Sequence, residues 1–227
     1  MSDSEGSGSS GELPNQSAEP PLFIDDTGDY GYLSEAYYRS QDLEFAGKTV
    51  IPSCIEALDA FTPPLLLLKA SLCGIPVAPH RLVNDAFHVA LPALLISVGV
   101  TTPRYRVAAE PAALHQAARE LSHKGMYPVL AEQLDAHDTV REFLVAKGRT
   151  RHRADARLAE QFFAAFRVPL ARLLVIDGAS GLRLAAALPV LHARRVAMHD
   201  AAAEQALQPA SAPPFAVRAR LTRAVRM

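Results

Sequence analysis

Residues 31–53, GYLSEAYYRSQDLEFAGKTVIPS, constrain the fold more tightly than any other stretch of the chain. Small and apolar side chains fall at Leu33, Ala36, Tyr37, Ser40, Leu43 and Gly47, the spacing of a helix with one buried stripe. Gly47 supplies a left-handed stop. Lys48-Thr49-Val50-Ile51 then has strand character up to Pro52. Ser53 and Glu56 form an S-x-x-E capping box, which starts a second helix that runs to about Phe61.

The rest of the chain repeats this alternation. Pro63-Pro64 interrupts the helix, and a further apolar helix reaches Cys73 before Gly74 stops it. Ile75-Pro76-Val77 is extended, because a residue before proline disfavours the α region. Asn84 or Asp85 is expected to cap a helix that is distorted at Pro92 and stops at Gly99. Residues 100–107 read as an extended lead-in and strand, and Glu110-Pro111 opens a helix that closes near Lys124-Gly125. Strands are expected at 127–130 and 140–145, with a turn at Gly148. A helix over 155–166 and two strands, 172–177 and 182–186, follow, the strands joined by a turn at Gly178-Ala-Ser-Gly181. Such alternation predicts an α/β or α+β architecture. Residues 1–21, rich in Ser, Gly, Glu and Pro, read as a disordered tail, and the Pro/Ala/Arg-rich stretch 208–227 as a loosely ordered one.

Bulk composition narrows the function classes. A net charge of −1 gives no global polyelectrolyte role, and nucleic acid is not an expected partner. The charge is uneven: residues 1–44 carry ten acidic groups against Arg39 alone, and residues 141–227 carry fifteen Lys/Arg against six Asp/Glu. That asymmetry fits either self-complementarity or a basic face, with scattered solvated arginines the commoner reading. Cys54 and Cys73 make neither a disulfide framework nor a zinc site. The start of the chain has no basic segment followed by an apolar core, and no apolar run is long enough to span a bilayer. A cytoplasmic location without membrane partners is expected.

No strong catalytic signature is present: there is no P-loop, G-x-G-x-x-G, G-x-S-x-G or H-E-x-x-H. The eight histidines are scattered singly, without an i, i+4 pair. Asp177 is the more pointed residue, ending an apolar strand just before a glycine turn. A carboxylate there can be aimed at a metal ion, or it can be an ordinary Asp-Gly turn residue, which is the commoner case.

Tyr30-Gly-Tyr-Leu-Ser-Glu-Ala-Tyr-Tyr-Arg-Ser40 and Gly47-Lys-Thr-Val-Ile-Pro-Ser53 resemble the N-terminal domain fused to RimK-like ATP-grasp ligases. Residues 97–107, SVGVTTPRYRV, are similar to the lead-in of many ATP-grasp domains. Leu130-Ala-Glu-Gln-Leu134, Asp138-Thr-Val-Arg141 and Phe143-Leu-Val-Ala-Lys-Gly148 resemble the family's hinge strand and its continuation. The resemblance implies a tail at 1–21 and a small N-terminal α/β domain at 22–96. A shortened ATP-grasp-like region at 97–207 and a C-terminal tail at 208–227 complete the expected order. It implies an ATP-dependent carboxylate–amine ligase with ATP and magnesium as cofactors and a small acid or peptide as substrate. Arg141 would then be catalytic, Glu132 at the adenine hinge and Lys147 on the nucleotide, and Asp177 would ligate magnesium.

The chain also departs from that pattern. The stretch between Val107 and Glu132 is too short for a glycine-rich flap, and Lys124 and Lys147 are the only lysines beyond residue 100. Where the family has an E-x-N pair of metal ligands, this chain offers Ala187-Leu188-Pro189. Positioning and charge neutralisation carry phosphoryl chemistry, so an impaired nucleotide and metal site is expected. The alternatives are a non-catalytic binding or accessory protein with a protein partner, and an unrelated α/β domain.

Overall fold

The computed structural model describes residues 22–84, 88–99 and 102–190. The tails expected at 1–21 and 208–227 lie outside the described residues. The chain begins with β1 (Leu22–Ile24), α1 (Glu35–Phe45) and β2 (Thr49–Ile51), and the two strands pair in parallel. A parallel pair needs a crossover, and α1 provides it. Ser34 caps α1 by accepting from the Tyr37 N–H at 3.1 Å, and Gly47 ends the unit at φ +73°. Ser53 and Glu56 form the full reciprocal capping box at the start of α2 (Cys54–Phe61). Pro63, with no N–H to leave unsatisfied, begins α3 (Pro63–Leu72).

A four-stranded sheet follows, built from β3 (His80–Val83), β4 (Ala93–Ser97), β5 (Tyr105–Ala108) and β6 (Val129–Gln133). Its order is β3-β6-β4-β5 and every pairing is antiparallel. The helix α4 (Pro111–Leu121) packs on one face of it. Here the helix expected over 85–99 is corrected: Asp85 lies outside the described residues, and 93–97 is the strand β4. A short apolar run bounded by breakers does not distinguish a buried strand from a buried helix by periodicity. β4 is buried on both sides, with Leu94 and Ile96 in one core and Leu95 in another. β3 and β4, on the N-terminal side of residue 97, and β6, beyond it, hydrogen-bond within this single sheet.

The third sheet has the order β7-β8-β9, from β7 (Thr139–Ala146), β8 (Leu170–Gly178) and β9 (Gly181–Leu188). A single 3-10 turn, Arg153–Asp155, and α5 (Ala156–Phe166) join β7 to β8. The N-terminal helices close onto this sheet. Leu184 N–H donates to the Pro76 carbonyl at 2.8 Å, and Val190 N–H to the Gly28 carbonyl at 2.8 Å. Gly28 is glycine for two reasons: its φ is +81°, and a Cβ would stand 2.9 Å from the Val190 carbonyl oxygen.

One core runs through all of these units. Phe61, Leu66 and Leu67 from α2 and α3 share it with Phe162 and Phe166 from α5, Leu173 to Ile176 from β8, and Leu94, Ile96 and Leu130 from the four-stranded sheet. Each such side chain contributes about 1.5–3 kcal/mol on burial, which ties the two larger sheets together face to face.

Candidate functional site

Two polar clusters flank the three-stranded sheet, and strand pairing fixes which side each occupies. Arg141 stands opposite Val175, Arg183 opposite Ile176 and Asp177 opposite Leu182. Side chains alternate along a strand, so Arg141 and Asp177 share one face and Arg183 lies on the other.

On the first face β7 presents Arg141, β8 presents Asp177, and the turn that leads into α5 presents Asp155. Arg141 Nε donates to Asp177 Oδ2 at 3.2 Å. Its Nη1 and Nη2 donate to the two oxygens of Asp155 at 3.0 and 2.5 Å. This is the bidentate fork that guanidinium and carboxylate prefer. Asp155 is 1% exposed and holds the N-cap position of α5 without capping the helix, its carboxylate being turned to the arginine. The hydrogen bond that Arg141 donates to Asp155 is the main cause that raises Arg141 above its ordinary pKa; burial opposes it, and Asp177 adds to it.

On the second face, the inner side of β6 carries Leu130 and Glu132 towards the main core. Glu132 is fully buried, and neither carboxylate oxygen has a hydrogen-bond partner among the described residues. Burial pushes its pKa up to about 8, against the smaller pull of Arg183. Arg183 Nη2 meets Asp138 Oδ2 at 2.5 Å, and that oxygen also accepts from the Asp135 N–H at 2.9 Å. The Arg183 Nε has no partner among the described residues.

Gly178 makes this second cluster possible, since a Cβ there would collide with Asp138 Oδ1. Its φ is not positive, so the demand is for space alone. Gly178→Ala should therefore break the buried Asp138–Arg183 contact and cost about 2–4 kcal/mol, a range set by disrupting a buried polar network. Urea denaturation of the variant checks this, and an unchanged midpoint would refute the packing argument.

Of the residues singled out in the sequence, Arg141 and Asp177 are brought into direct contact. Glu132 belongs to the other sheet, on β6, and faces the core on the far side of the three-stranded sheet from that contact. Lys147 is exposed in the turn after β7, with φ +48° and its N–H donating to the Pro169 carbonyl at 2.6 Å. It is six residues beyond Arg141 along the strand, or about 20 Å. Asp155, Asp138 and Arg183 complete the clusters without having been assigned roles. An aspartate at a helix start and the Asp138-x-x-Arg141 spacing were the available signals.

Magnesium requires a near-octahedral shell of oxygens, whereas Asp177 is bonded to a guanidinium and the Ala187-Leu188 step is buried hydrocarbon in the core. Among the described residues no group of three or more His, Cys, Asp or Glu side chains is placed to hold a metal ion. Among the described residues the charge of Arg141 is met by two carboxylates, and Lys147 lies about 20 Å from it along the strand.

No protein-family model and no curated protein matches the sequence. The fold, however, has relatives among solved structures. The chain is similar to a RimK domain ATP-grasp protein from Sphaerobacter thermophilus, with a TM-score of 0.55 and 16% identity over 78% of this chain and 75% of that one. It is similar also to D-alanine-D-alanine ligase from Helicobacter pylori, with a TM-score of 0.55 and 16% identity over 86% of this chain and 72% of that one. At these identities the likeness is one of fold: the chain has the mixed α+β architecture of ATP-grasp proteins, as the motif resemblance implied.

Proposed function

We propose that this chain is a descendant of ATP-dependent carboxylate–amine ligases that has lost magnesium-dependent chemistry and works as a binding or accessory protein. The observation that carries the reading is the Arg141 clamp on Asp155 and Asp177. A guanidinium takes the place of the cation that such carboxylates would otherwise attract, and the position of the second metal ligand is hydrocarbon. The ATP-grasp fold of two similar structures, one of them named as a ligase, supports the ancestry. Two free cysteines, one of them exposed, agree with a reducing cytoplasmic setting. No described helix is long and apolar enough to cross a membrane. The partner is then a protein or peptide taken up by the scaffold.

The contrasting reading, a working ligase that takes ATP and magnesium at Glu132, Lys147 and Asp177 with Arg141 catalytic, has the Arg141–Asp177 contact in its favour. Calorimetric titration with ATP, with and without magnesium, separates the two. No magnesium-dependent heat at millimolar nucleotide is expected. Magnesium-dependent binding, or release of inorganic phosphate in the presence of amino acids, would establish the ligase instead.

A further inference from the structure

Among the described residues, the outer face of the four-stranded sheet is only partly covered. In the order β3-β6-β4-β5, α4 lies over β4 and β5. The β3–β6 side is left open beside the helix as a cleft of about 400 Å³. Its floor is hydrocarbon, from Val83 on β3, Val129 on β6 and Ala118 on α4. Its rim carries His115, Arg119 and Lys124, and among the described residues none of the lining is acidic. Arg81 precedes Val83 by two residues and so stands on the same side of β3, which extends the positive rim.

Arg81, Arg119 and Lys124 form no ion pair among the described residues, whereas Arg106 on β5 is matched by Glu120 at 2.7 Å. Lys124 sits in a constrained loop. His123, Lys124 and Gly125 have consecutive positive φ values of 51°, 63° and 88°. The Lys124 N–H is held by the Arg119 carbonyl at 2.9 Å, and the Gly125 N–H by Ser122 Oγ at 2.8 Å. Left-handed backbone at two successive non-glycine residues persists only where its surroundings hold it. A cation near a helix C-terminus also offsets the helix dipole. That accounts for Arg119 in the last turn of α4, but not for Lys124 and Arg81 beyond the helix or for an open apolar floor beneath them.

The geometry points to a binding site for an organic anion, its carboxylate or phosphate head on Arg119 and Lys124 and its apolar body over Val83, Ala118 and Val129. An apolar surface with a few convergent charges is the usual composition of a small-molecule site. The cleft is on the face of β6 that carries Val129 and Ala131, opposite the face that carries Glu132. It is therefore independent of the ligase reading and can succeed or fail separately from it.

The test uses the full chain and the amphipathic anion 8-anilinonaphthalene-1-sulfonate, whose emission rises in apolar surroundings. Saturable single-site binding is expected, with displacement by octanoate and not by inorganic phosphate at the same concentration. Arg119→Glu/Lys124→Glu should weaken the dye at least tenfold, and Arg119→Ala/Lys124→Ala should do so to a smaller extent. Both side chains changed are exposed and form no ion pair among the described residues, and circular dichroism checks that the variants remain folded. Leu68→Asp, on the exposed leucine face of α3, should leave binding unchanged. The proposal is overturned if the charge reversals alter affinity by less than twofold, if phosphate competes as well as octanoate, or if Leu68→Asp abolishes the signal.

Discussion

Glu132→Gln should make the folded protein more stable at pH 8 by about 4 kcal/mol and flatten its dependence on pH. The buried carboxyl has a folded-state pKa of about 8 against an ordinary value of 4.5, with burial as the dominant cause. In the unfolded chain the group releases its proton near 4.5, whereas in the folded protein it holds the proton until about 8. Across that window the folded state binds one proton more than the unfolded state, so stability falls as pH rises and levels off above 8. This is the reverse of a salt-bridged carboxylate, whose contribution is lost as pH falls. Among the described residues neither Glu132 oxygen has a hydrogen-bond partner, and Arg183 is committed to Asp138, so the ionised form has little to stabilise it. Glutamine has nearly the same shape and no charge to lose. Guanidinium denaturation of both proteins at pH 5 and pH 8 is the measurement. Near-equal midpoints at pH 5 and a clear gap at pH 8 are expected. Equal midpoints at both values would mean that the carboxyl is solvated or charged in the folded state.

Local signals predicted the local structure well. The capping box at Ser53 and Glu56, Pro63 at the start of α3, the turn at Gly148 and the hairpin at Gly178–Gly181 all depend on residues a few positions apart. The strand β4 is different. Its apolar run carries no period, and only pairing with β5 and β6 on either side makes it a strand. The polar clusters are non-local as well. Arg141 reaches Asp155 and Asp177 across sequence separations of 14 and 36, and Arg183 reaches Asp138 across 45. No spacing rule announces such pairs. The motif resemblance named Arg141, Asp177, Glu132 and Lys147 as a set, but Arg141 and Asp177 share one face of the three-stranded sheet, Lys147 lies in the turn after β7, and Glu132 belongs to the four-stranded sheet. A family pattern places residues in order along the strands, and a register places them in space.

Arg141→Met should be the most damaging single change in the first cluster. It leaves Asp155, 1% exposed, as a buried carboxylate without its bidentate partner. Removing one member of a buried pair costs about 3–5 kcal/mol, because the remaining charge stays desolvated. The other arm adds little, since the Asp177 side chain is 46% exposed and water screens it. For a domain of this size a loss of about 3 kcal/mol lowers Tm by roughly 6–12 °C. The second variant, Arg141→Met/Asp155→Asn, removes the stranded charge and should recover most of the loss, which separates an electrostatic cost from lost packing over Phe143. The single variant should also acquire what the wild type lacks. With the guanidinium gone, Asp155 and Asp177 are two acceptors that converge on one vacated position, so millimolar calcium or micromolar terbium should raise its Tm. The wild type should be indifferent to both ions, because its carboxylates already hold a cation that cannot dissociate. Scanning fluorimetry with and without the ions reads both effects. Stabilisation of the wild type by divalent ions, or an Arg141→Met protein as stable as its parent, would remove the argument that an arginine has replaced the metal.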